Sequence, residues 1–218
     1  MLAKELLSKL GTALNDAGHV RWSVATLLEY ITDAQRYTVL LRPDAYSKVE
    51  AVQLAANSTR QTIPAGAVRF LGVVRNMGLD GQTPGLPVTL TQRDALDEAN
   101  SGWHTEGGSL VIDHYVFNED TPAVYYVTPP PAAGVHVELE YAASPATLAS
   151  EDDLLALDDT WSEPLREYVL YLCYTNNATD SQERSRAEWH LQKYYLALGE
   201  EKKAKIIYSP NAEVRGNG

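Results

Sequence analysis

Leu2, Leu6, Leu7, Leu10, Ala13 and Leu14 recur at the spacing that gathers side chains on one helix face, so residues 2 to 14 read as a short amphipathic helix ending near Asn15-Asp16-Ala17-Gly18. A second stripe of Val24, Leu27, Leu28, Ile31, Ala34 and Gln35 follows. Ser23 is placed to cap it, and Arg42-Pro43 stops it because proline disfavours helix in the residue before it. From about Ala45 to Pro145 the apolar period shortens towards two. The predicted strands are Val49 to Leu54, Arg69 to Arg75, Pro87 to Thr91, Leu110 to Phe117, Ala123 to Thr128 and Val135 to Tyr141. Val135, Val137, Leu139 and Tyr141 alternate with His136, Glu138 and Glu140, which predicts a strand with one buried face and an acidic face turned outward. Asn118 to Pro122 reads as a hairpin loop, Asp94 to Asn100 as a short helix and Pro129-Pro130-Pro131 as a stiff connector. After Glu151-Asp152-Asp153 the helical period returns. Trp161 to about Asn177 carries Leu165, Tyr168, Val169, Leu172 and Cys173, and a run capped by Asp180 or Ser181 continues to about Lys203 with Ala187, His190, Leu191, Tyr194, Tyr195 and Leu198.

Helices at both ends must bury their stripes, and neither pair suffices alone. The expected fold is therefore α+β: a bundle of N-terminal helices (1–44) and C-terminal helices (151–203), a sandwich- or barrel-like β-rich insertion (45–150), and an extended tail (204–218). The apolar runs fall far short of the roughly 20 residues that a membrane span needs, and the N-terminus lacks the pattern of a secretory signal. Synthesis and assembly in a reducing cytoplasm are expected, where a single cysteine, Cys173, serves as a small core residue.

Charge adds something periodicity does not. Of 29 Asp and Glu residues, fifteen fall between Thr91 and Glu163, against one cation, Arg93. Such a stretch repels a nucleic-acid backbone, because it offers no cations to replace phosphate counterions. Thirteen tyrosines and four tryptophans against two phenylalanines suit either assembly surfaces or a core with satisfied hydroxyls. No phosphate-binding glycine loop, His-Glu-x-x-His, Gly-x-Ser-x-Gly or cysteine pair is present, so no catalytic, metal or cofactor residues are assigned. His104 with Glu106 and Asp113 with His114 are the nearest candidates. Asp113 and His114 would point to opposite faces of a strand.

One ordered set of segments resembles a known family. Leu27 to Arg36, Leu41 to Ala45, Gln61 to Gly66, Val74 to Gly78, Asp97 to Trp103-His104, Tyr125 to Pro130 and Tyr168 to Tyr171 are similar to the phage adaptor proteins of the head-tail junction. The resemblance implies a structural virion protein without catalytic residues. It also implies a helical bundle with a β insertion, assembled as a ring, usually of twelve copies, that docks to the portal, presents a platform for the tail tube or nozzle, and lets genomic DNA pass without specific binding. On that footing Asp94, Asp97, Glu98, Glu138, Glu140, Glu151, Asp152 and Asp153 are candidates to line or flank the DNA channel. A tail of Lys202, Lys203, Lys205, Ile206, Ile207, Tyr208 and Arg215 is a candidate for docking on the portal, its cations meeting carboxylates and its apolar groups filling a groove. The alternatives are a tail-completion or tail-tube protein, a carboxylate-based hydrolase drawing on Asp94, Asp97, Glu98 or Asp152, and a stand-alone peptide-binding module.

Overall fold

The computed structural model describes residues 1–176 and 181–207, and of residues 200–207 only the helical backbone. They divide into two compact units, a helical one of Met1–Arg42 with the chain from Pro145 onward, and a β-rich one of Pro43–Ser144. The fold class is α+β, as the periodicities predict.

In the helical unit, α1 (Ala3–Ala13) buries Ala3, Leu6, Leu7 and Leu10, and the Glu5 carboxylate accepts the Leu2 N–H at 3.1 Å. The next helix, α2 (Val24–Leu41), starts where the Ser23 hydroxyl accepts the Thr26 N–H at 3.2 Å. After the β-rich excursion, which carries the short α3 (Arg93–Ala99), come α4 (Ser162–Asn176) and α5 (Ser181–Ile207). α4 packs on α1, α2 and α5. The expected sheet region ended at residue 150, but the chain returns to the helical unit at Pro145. Polar side chains of α2 hold it there. Arg36 Nε donates to the Pro145 carbonyl at 3.2 Å, the Thr32 hydroxyl accepts the Leu148 N–H at 3.1 Å, and Gln35 Oε1 accepts the Ala156 N–H at 2.7 Å. The last helix runs to Ile207, so residues 204 to 207 of the expected extended tail are helical, and the rest of it, 208–218, lies outside the described residues.

The β-rich unit has a three-stranded and a four-stranded sheet. The first orders β1 (Ser47–Gln53), β7 (His136–Ala143) and β3 (Ala67–Asn76), all antiparallel. The second orders β2 (Arg60–Thr62), β6 (Val124–Thr128), β5 (His114–Phe117) and β4 (Thr89–Leu90), with β4 parallel to β5. One apolar core includes Phe70, Val73, Ile112, Tyr125, Val127, Val137, Leu139 and Tyr141. β7 lies in the middle of its sheet, so its acidic face is partly covered where the alternation had suggested an open one.

Two buried amides replace ladder bonds where the strands fall short. Asn76 donates from Nδ2 to the Leu86 and Ile112 carbonyls at 3.0 and 2.8 Å and accepts the Ile112 N–H at 2.8 Å. That side chain takes up the backbone of Ile112, and the strand predicted from Leu110 starts only at His114. Gln61 accepts the Ala55 N–H at 2.7 Å and donates to the Ala55 and Ser58 carbonyls at 3.0 and 2.6 Å, so the turn before β2 is held by a side chain. β2 itself was not predicted. Its three residues are too few to show an alternation.

Asn76→Ala leaves the buried Ile112 N–H and C=O without partners, each costing roughly 1–3 kcal/mol if unsatisfied, whereas the Leu86 carbonyl keeps the Asn76 backbone N–H at 2.9 Å. The expected outcome is a folded but destabilised chain, seen as a lower urea midpoint at an unchanged slope.

Candidate interaction surfaces

The eight candidate carboxylates fall in three places. Asp94, Asp97 and Glu98 are exposed on α3, Glu138 and Glu140 sit half-buried on β7, and Glu151, Asp152 and Asp153 form a loop of the helical unit. Several are committed locally. Asp97 accepts the Trp103 indole N–H at 2.8 Å, and Glu138 pairs with Arg75 across the β7–β3 ladder at 2.8 Å. Asp152 meets Lys4 at 2.8 Å. The Ser150 and Ala149 N–H groups donate to Asp153 and hold its carboxyl below the usual carboxylate range. Asp94, Glu98 and Glu151 stand exposed without such a task.

The imidazole candidates are engaged by hydroxyls. His104 Nδ1 bonds the Thr59 hydroxyl at 2.7 Å while its ring stacks 3.6 Å from buried Trp103, and Glu106 accepts from Asn100. His114 Nδ1 bonds the Thr89 hydroxyl at 2.6 Å. Among the described residues no three His, Cys, Asp or Glu side chains converge as a metal cage would. A cleft of about 650 Å³ opens between the start of α3 and the β5–β6 loop, with Arg93, Asp94, Glu119, Asp120 and Tyr126 among its walls.

Sequence reasoning missed a buried charged cluster of the helical unit. Glu167 on α4 is 1% exposed, receives Arg166 Nη2 at 2.7 Å and lies 2.7 Å from His190 Nδ1 on α5. Burial pushes the Glu167 carboxyl up, yet the bonds from His190 and Arg166 outweigh it and the net shift is downward. His190 in turn stacks on Tyr174 with ring centres 5.5 Å apart. No spacing rule could have paired residues 23 apart on two helices.

The tail candidates divide. Lys202, Lys203, Lys205, Ile206 and Ile207 belong to the last turns of α5, where the side chains lie outside the described residues, as do Tyr208 and Arg215 altogether. Among the described residues no helix is long and apolar enough to cross a membrane.

Compared with known protein families, residues 1–215 match the profile of the SU10 adaptor protein. The chain belongs to that family. It is a family of phage head-to-tail adaptors, and this chain is accordingly a structural phage adaptor protein. No curated protein matches it in sequence. Segments that carried the resemblance hold this adaptor's fold together: Gln61 and Asn76 are the two amide clips, and Trp103 and Tyr125 are each 1% exposed.

Two outcomes are expected of the helical unit. Glu167 has a lowered folded-state pKa, so its stabilisation is present above the unfolded value of 4.5 and is lost as pH falls through the lower folded value. Glu167→Gln should therefore destabilise the chain by about 1–3 kcal/mol near neutral pH, with the gap to the parent narrowing in acid denaturation below pH 4.5. Cys173 is fully buried, and burial pushes its thiol up to about 12. It should resist a disulfide-exchange reagent in the native protein and react at once in denaturant.

Proposed function

We propose that this adaptor works as one copy in a ring, usually of twelve, at the head-tail junction of the virion. The ring joins the portal to the tail tube or nozzle and continues the DNA channel. The observation that carries this reading is a family match over nearly the whole chain, residues 1–215, on a chain whose two units each have their own core. A passive conduit must hold its neighbours firmly and the passing polyanion not at all. The β-rich unit suits the second demand, with five Lys and Arg against twelve Asp and Glu over residues 43–144. Exposed carboxylates with no hydrogen bond or ion pair of their own among the described residues, Asp94 and Glu98 on α3 and Glu151 in the helical unit, are the members of the candidate set freest to face DNA. Their charges repel phosphate and leave no condensed counterion to be released by binding.

On the portal side, the end of α5 and the residues after it bring three lysines, two isoleucines, Tyr208 and Arg215 within a short span. A chain end of that composition can order itself on an acidic, grooved partner. Deleting residues 204–218 should abolish binding to purified portal rings, and undiminished binding would remove the docking role.

Imaging of particles carrying the chain tests the reading as a whole. Particles lacking it should accumulate as full or leaking heads without tails, and complementation should restore a ring of density under the portal. Asp94→Lys with Glu98→Lys should give the purified protein salt-sensitive binding to duplex DNA that the parent lacks, with a log–log salt slope near −0.9 for each phosphate contacted.

A further inference from the structure

Trp189 and Leu196 on α5 keep 51% and 67% of their surface exposed. Between them lies Lys193, its ammonium 3.9 Å from the Trp189 ring centre. Positions four and three apart share a helix face, so these side chains form one projecting stripe. Ala187, Tyr194 and Leu198 are buried and fix the opposite side of α5 as the one facing its own bundle. An exposed tryptophan flanked by leucine on a folded helix is the composition of an interface anchor.

A cleft of about 450 Å³ opens on the other flank of the same helix, lined by Tyr171 and Thr175 of α4 and by Arg184, Ala187, Glu188 and Leu191 of α5. At 3.6 residues per turn, positions 184 and 191 point nearly opposite to 189, 193 and 196, and position 188 lies about a quarter-turn round the helix from that stripe. The stripe therefore cannot fill the cleft of its own chain.

We propose that the Trp189–Lys193–Leu196 stripe of one copy docks into the Tyr171–Arg184–Glu188–Leu191 cleft of the next. The two surfaces complement each other in kind. The indole face accepts the Arg184 guanidinium as a cation–π partner, the Lys193 ammonium meets the Glu188 carboxylate, and Leu196 covers Leu191 and Ala187. Because stripe and cleft are different surfaces on nearly opposite flanks, the contact is heterologous: every copy offers one of each, and repetition closes into a ring when the rotation permits. The inference rests on the ring proposed above and assigns the surface that makes it.

The test places p-benzoylphenylalanine at Leu196 in the full chain, and assembled particles are irradiated. The expected product is a ladder of covalently linked copies whose cross-linked peptides lie within residues 171–191. Cross-links that run only to another protein, or to other parts of this chain, overturn the proposal. A ring still seen by electron microscopy in those particles would leave the function standing, whereas a missing ring would remove both. Charge exchange gives a second arm. Lys193→Glu and Glu188→Lys should each weaken the contact, lowering assembled copies per particle about tenfold, and the double variant should restore them. A double variant as poor as either single one overturns the pairing; circular dichroism of all three verifies that α5 stays helical.

Discussion

The helical unit depends on the return of the chain from the β-rich excursion. α1 and α2 touch each other little, and each packs on α4. Their stripes, with Leu6, Leu10, Leu27 and Ile31 all at 0% exposure, therefore stay in water until residues beyond 144 come back. Contacts across more than a hundred residues carry a loop-closure cost, which falls sharply if the loop is already folded. Residues 43–144 meet that condition, because Phe70, Ile112, Tyr125 and Leu139 close a core of their own. Thr32, Gln35 and Arg36 then bind the returning backbone at fixed points, and α4 is set in register against α2.

Periodicity made the long elements legible. α1, α2, α4 and most of α5 lie where a 3.6-residue stripe put them, and β3, β6 and β7 where alternation did. What escaped it is held by single side chains. A strand can stop early because an asparagine supplies the bonds of the next residues, as Asn76 does for Ile112, and no hydrophobic pattern registers that exchange. The insertion boundary moved from 150 to 144 for the same kind of reason, a threonine and an arginine on α2 capturing backbone that reads as loop. For the surfaces, composition located the negative charge but not its duties. Asp97, Glu138 and Asp153 turned out to hold an indole, an arginine and a turn.

The aromatic balance has two meanings here, and burial separates them. Tyr125, Tyr141 and Tyr194 are at most 4% exposed and do the work of phenylalanine in the two cores; the Tyr194 hydroxyl bonds Thr38 at 3.1 Å and the Tyr141 hydroxyl donates to Glu50, so both of those polar tips are satisfied. Tyr37 stacks on Tyr168 at 4.9 Å and bonds Tyr195 at 3.0 Å, which extends the same cluster to the surface of the bundle. Trp189 is different. Half of it is in water, on the same face of α5 as Leu196, which is 67% exposed.

Local commitment of carboxylates does not weaken the electrostatic role given to the acidic stretch. A carboxylate that accepts an indole or backbone N–H keeps its full charge, and only one paired with a cation, such as Glu138 with Arg75, is cancelled at a distance. The field felt by a polyanion is the sum over charges within about a Debye length, roughly 8–10 Å at physiological salt. Over Thr91 to Glu163 the stretch itself supplies one cation, Arg93, whose guanidinium lies 4.0 Å from Asp97, while Arg75, Lys4, the Met1 ammonium and Arg166 pair from outside it with Glu138, Asp152, Asp159 and Glu163. In the proposed channel role, repulsion would rest on the sum of the unpaired carboxylates of each unit and not on a single residue, which is why reversing a few exposed ones must create cations, and not merely remove anions, before DNA can adhere.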